Sequence, residues 1–134
     1  MLPSGLAELI AAAEDLARFL TQGSHFNASM AKPSAFLPAP KDRETSVSRH
    51  GSEPSDALWA IGRESAGERK LYGAAIFKAS DVTVADLETY ADEPPDRHAV
   101  IRGWPWIEND AELQKAQQKE RALFLASRST LLLL

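Results

Sequence analysis

The chain has 134 residues, 44% hydrophobic and 25% charged, with a formal charge of -4 and no cysteine. That length suits one domain with one core, and the composition is too apolar for a disordered chain. The lack of cysteine excludes a disulfide framework, a thiolate nucleophile and Cys-ligated zinc, while the acidic balance gives no overall attraction to nucleic acid or to an anionic membrane, so a phosphate site has to be a local patch.

In chain order, Ser4 can cap a helix whose apolar residues Leu6, Leu9, Ile10, Ala13, Leu16, Phe19 and Leu20 recur at helical spacing, with Gly23 just beyond its end. Residues 32–50, KPSAFLPAPKDRETSVSRH, read as a β-hairpin with Phe36 and Leu37 on one arm and residues 45–49 on the other. Its three prolines remove backbone donors and place it at a sheet edge. Ser52 is a candidate N-cap for a short helix that buries Ala57, Leu58 and Ile61 and ends near Gly62, followed by a solvated loop over 63–70.

Residues 71–79, LYGAAIFKA, are apolar on both alternating sets, the pattern of a strand covered on both faces. After a turn at Ser80 and Asp81, the stretch 82–90 favours a further strand through Val82, Val84 and Thr89. The paired prolines in 92–97, DEPPDR, impose an extended connection. RHAVIRG then reads as a strand, and Asn109 or Asp110 caps a long final helix with Leu113, Ala116, Leu123, Phe124 and Ser127 on one flank. Periodicity leaves residues 129–134 open between helix and strand. The whole is an α+β domain, a small, mostly antiparallel sheet covered by an N-terminal and a long C-terminal helix. Its expected core is Leu9, Leu16, Phe19, Phe36, Val47, Leu58, Ile76, Phe77, Ile101, Leu123 and Phe124.

The residues that could carry chemistry are cations and aromatics on the expected strands: Lys32, Arg49, Arg97, Arg102, Trp104 and Trp106, with His98 as a titratable group. Side by side on one sheet face they would hold phosphate with guanidiniums and stack bases on indoles. The plainer alternative pairs the arginines with surface carboxylates and buries the tryptophans. Of the three histidines, His25, His50 and His98, no two have metal-ligand spacing, so no metal is expected. Ser46 and Ser48 lie beside Arg49 and His50 but lack the nucleophile-elbow pattern. Neither a phosphate-binding loop nor a dinucleotide glycine pattern occurs, so no cofactor is expected.

The segments KPSAFLP, ETSVSR and RHAVIRGWP, with the Ala-rich strand between the last two, resemble a group of short, uncharacterised bacterial proteins from mobile-element neighbourhoods. The resemblance spans about residues 18–126. It implies a whole single-domain protein and brings no activity with it. No basic stretch precedes the first apolar run, and the final four leucines fall far short of the ~20 residues that span a bilayer, so a cytoplasmic protein without membrane contact is expected. Two functions follow. The first is a non-enzymatic module that binds a protein partner through the Trp104–Trp106 segment, in a mobile-element, defence or toxin-antitoxin context. The second is a metal-independent nuclease or phosphodiesterase with His98 for proton transfer and Lys32, Arg49 and Arg102 on the phosphate.

Overall fold

The structure is a computed structural model that describes residues 1–50 and 53–134. Among the described residues six strands, β1 (Asp15–Leu20), β2 (Thr45–Arg49), β3 (Gly73–Lys78), β4 (Glu88–Ala91), β5 (His98–Arg102) and β6 (Thr130–Leu133), form one sheet in the order β4-β5-β2-β1-β3-β6. Every neighbouring pair is antiparallel. The helices are α1 (Ser55–Ala66), α2 (Ala79–Val84) and α3 (Ala111–Arg128). The α+β class and the antiparallel sheet expected from the sequence are therefore present, and the long C-terminal helix is α3.

Strand alternation splits the sheet into two buried faces. Leu16, Leu20, Val47, Ala75, Phe77, Ala99 and Ile101 point to one, where Ala122, Leu125 and Ala126 of α3, Val82 of α2, and Ala35 and Phe36 of a 3-10 turn cover them. Ala17 and Ala74 point to the other, beneath Leu58 of α1 with Phe19, Trp59 and Ile76 alongside. Burial on both faces explains why 15–20 looks helical in sequence. A strand apolar on both sides satisfies a 3.6-residue period as readily as a period of two.

The expected N-terminal helix is thus replaced by an irregular segment leading into β1, and the first helix of the fold is α1. Ala7 carbonyl and Glu14 of that segment bind Arg49, and Ser4 binds Glu93, so polar bonds tie it down. Leu9, placed in the core by periodicity, is 88% exposed. The expected hairpin over 32–50 does not form either. Pro33 opens a 3-10 turn, Phe36 adopts a right-handed helical conformation, and only β2 is a strand. β2 lies in the middle of the sheet between β5 and β1, not at an edge, because the prolines fall outside it.

The hairpin that does exist joins β4 to β5 through residues 92–97. It is closed by Asp92 N–H to His98 carbonyl at 2.9 Å and His98 N–H to Pro95 carbonyl at 3.1 Å. That segment is therefore a reversal and not an extended connection. The expected Ser52 cap lies outside the described residues. α1 continues past Gly62 to Ala66, through the stretch read as a loop, since Gly62 is buried against Phe19 rather than ending the helix. Ser80 and Asp81 belong to α2, where the Asp81 carboxylate accepts from Lys78 N–H. Asp110 caps α3 by accepting from Leu113 N–H at 3.0 Å. The buried stripe of α3 is Ala122, Leu125 and Ala126, so Leu123, expected in the core, is 56% exposed. No helix among the described residues is long and apolar enough to cross a membrane.

Candidate functional site

β1 pairs with β3 along its whole length but with β2 only at Leu16↔Arg49 and Ala17↔Ser48. Beyond those pairs the two strands separate. Arg18 falls in the alternation between Leu16 and Leu20, where a guanidinium has no place among apolar side chains. It occupies the gap instead. Its Nε donates to Ala35 carbonyl of the 3-10 turn at 2.7 Å and its Nη1 to Ser46 carbonyl of β2 at 2.9 Å, so the side chain bridges the turn and the strand from which β1 has parted.

The opening leads into a cavity of about 400 Å³ walled by β1, β2, the start of β5 and the C-terminal half of α1. Its charged and titratable groups are Arg18, Arg69, His25, His98 and Glu64, and Ser46, Ser48, Ser65, Thr21 and Gln22 add hydroxyl and amide groups. α1 places Glu64 and Ser65. Its C-cap Gly67, with φ of 61°, turns the chain so that Arg69 folds back. Arg69 then donates to the carbonyls of Ala66 and Ser65 at 3.1 and 3.2 Å, a favourable place for a cation at a helix C-terminus, and reaches Thr21 Oγ1 at 3.4 Å.

Neither Arg18 nor Arg69 has a carboxylate partner among the described residues. Burial and the neighbouring Arg69 charge push the Arg18 guanidinium down to about 10. Burial, with Arg18 second, likewise holds the His25 imidazole below the ordinary histidine range. Among the described residues, the pocket lining sets two arginines against one acidic side chain, Glu64.

His98 enters from the far side of β2, where it faces Ser48 in the ladder. Its Nδ1 lies 3.0 Å from Asp92 carbonyl oxygen and 3.2 Å from Asp92 Oδ2. A carbonyl only accepts, so Nδ1 carries the proton, and Nε2 has no partner among the described residues. The β4–β5 hairpin creates this arrangement, since Asp92 and His98 face each other across its closing bonds.

Of Lys32, Arg49, Arg97, His98, Arg102, Trp104 and Trp106, the cavity takes His98, and it also takes His25, Ser46 and Ser48, for which the sequence offered no recognisable motif. Arg49 follows Ser48 and so points to the opposite face, where its side chain, 2% exposed, binds Glu14 through Nε at 2.5 Å and Nη2 at 3.0 Å. Arg97 pairs with Glu53 and Arg102 with Glu44, and Arg102 also lies 5.0 Å above the Tyr90 ring. Lys32 is exposed at the start of the 3-10 turn. Trp104 is buried, and Arg43 sits 4.5 Å over the Trp106 ring. Strands β2 and β5 do lie side by side as expected, but His98, Arg49, Arg102 and Lys32 do not converge. Sequence reasoning missed Arg18 and Arg69. The signal was an arginine inside the apolar run LARFL, which a buried strand tolerates only when its charge has a task.

The described residues contain no cluster of His, Cys, Asp and Glu suited to a metal ion. No family model, curated protein or solved structure matches the chain.

Proposed function

We propose that the pocket between β1, β2 and α1 binds a small anionic molecule through a phosphate group. The observation that carries this reading is Arg18. It is a partly buried guanidinium that, among the described residues, has no carboxylate partner, stands near a second guanidinium and is held by neutral carbonyls. Such a charge is unfavourable where it stands, and a phosphate, which guanidiniums bind through paired hydrogen bonds, offsets it. The cavity volume lies in the range of small-molecule sites, and the serine and threonine hydroxyls suit a polar ligand.

Thermal unfolding and calorimetry test this with inorganic phosphate and a nucleoside monophosphate, against chloride at matched ionic strength. Binding raises the unfolding temperature, by an amount that corresponds to about 2.7 kcal/mol at a hundredfold excess over Kd. Arg69→Gln and Arg18→Met weaken or abolish the shift. No shift in the wild type, or an equal shift in both variants, overturns the reading. The reading as a protein-binding module draws less support, because Trp104 is 6% exposed and Trp106 is half-buried with Arg43 4.5 Å over its ring.

A further inference from the structure

We infer that the same pocket cleaves a short ribonucleotide phosphodiester without a metal ion: His25 removes the 2′-hydroxyl proton, O2′ attacks phosphorus, and His98 protonates the departing 5′-oxygen. This rests on the anion-binding reading above and adds to it a substrate class and a reaction. The P–O2′ bond forms as the P–O5′ bond breaks. The proton lost from O2′ goes to His25 and a proton from His98 goes to O5′, so the products are a 2′,3′-cyclic phosphate and a 5′-hydroxyl, with no other reactant.

Three observations carry it. In-line displacement needs base and acid on opposite sides of the phosphorus. His25 comes from the turn that follows β1 and His98 from β5, and these strands flank β2 on its two sides. The two imidazoles also differ in environment in the required sense. Burial, and after it the Arg18 charge, lowers the His25 pKa and so favours the neutral form that accepts a proton. His98 has Nδ1 at 3.0 Å from the Asp92 backbone carbonyl oxygen and 3.2 Å from Asp92 Oδ2, which fixes the ring through Nδ1 and leaves Nε2 to meet the leaving oxygen. Lastly, the phosphorane gains a negative charge that the ground state lacks, and Arg18 and Arg69 are already in place to meet it.

The remaining charged wall group, Glu64, and the formal charge of -4 disfavour a long polyanion. The substrate is therefore of dinucleotide size. Asp92 is a positioning residue, since it reaches the substrate only through His98.

The test uses the purified full chain with uridylyl-3′,5′-adenosine in EDTA, products being separated by chromatography. Expected are uridine 2′,3′-cyclic phosphate and adenosine in equal amounts. The 2′-deoxy analogue binds by calorimetry but stays intact. His98→Gln and His25→Gln each lower the rate about 100-fold or more, while phosphate binding and the circular dichroism spectrum are retained. The wild-type pH profile is bell-shaped, and His25→Gln removes its acid limb. Intact dinucleotide alongside measurable phosphate binding overturns this inference and leaves the binding reading standing, whereas absent phosphate binding overturns both. Cleavage that survives unchanged in both histidine variants, or that also cuts the deoxy analogue, overturns the inference as well.

Discussion

Two residues show how local environment decides what a charge does. Arg49 and Glu14 form a buried bidentate pair, and the guanidinium also donates to Ala7 carbonyl at 2.5 Å. Glu14→Gln leaves that buried cation without its ion-pair partner, a change expected to cost about 3 to 5 kcal/mol in urea unfolding, whereas replacing both partners with apolar residues of similar volume costs much less. His25 acts through protons. Its folded-state pKa is depressed below the ordinary value near 6.5, so between the two values the unfolded chain binds more protons than the folded one. Stability is therefore complete above about pH 6.5 and declines as the pH falls toward the lowered folded value. His25→Gln flattens the unfolding temperature in that window, as calorimetry at stepped pH can read. Arg49 was legible in the sequence as a noteworthy cation, but its partner Glu14 is 35 residues away, and nothing in either neighbourhood announces the other.

At the scale of elements, backbone space sets the pairings. A Cβ built on Gly73 would come within 2.2 Å of Leu132 carbonyl oxygen, a backbone atom that no rotamer change can move. Gly73→Ala must therefore push β6 off β3. The expected outcome is a loss of about 1 to 3 kcal/mol, together with faster amide exchange over Thr130–Leu133 and little change in β1. The elements with strong local chemistry were legible. β5 alternates cleanly, α3 has an aspartate cap three residues before the N–H it binds, and the Ala-rich run of β3 marks a doubly covered strand. β1 was not, because its apolar positions fit two periods. Nor was the β4–β5 reversal, since the same diproline dipeptide is compatible with an extended or a turning backbone, and only the register Ala91↔Ala99 selects the turn.

For the molecule as a whole, the sheet separates a large core from a small one, and the pocket opens on the smaller side. Ile101 is fully buried in the large core, so Ile101→Ala is expected to lose about 2 to 5 kcal/mol in denaturant unfolding. Leu123→Ala, at a residue 56% exposed on α3, should lie within about 0.5 kcal/mol of wild type. Equal losses at the two sites would contradict the way α3 is seated. The pocket exists because α1 covers β1 and β3 with Leu58 and Trp59 but leaves the divergent stretch of β1 and β2 to polar groups.

Legible in the sequence were the α+β class of the fold, the two-faced burial of β3, the strand at 98–102 and the capped final helix. Each of these is written in a short window, where periodicity, a cap or an alternating pattern acts on neighbouring residues. Only the tertiary structure decided which charges are free. Arg49, Arg97 and Arg102 are paired with Glu14, Glu53 and Glu44, while Arg18 and Arg69 have no carboxylate partner among the described residues and meet in one cavity with His25 and His98. The physical reason is that charge pairing depends on distance in space. The gap between β1 and β2, which creates both the cavity and the task of Arg18, arises from where two strands part and not from any residue pattern within either.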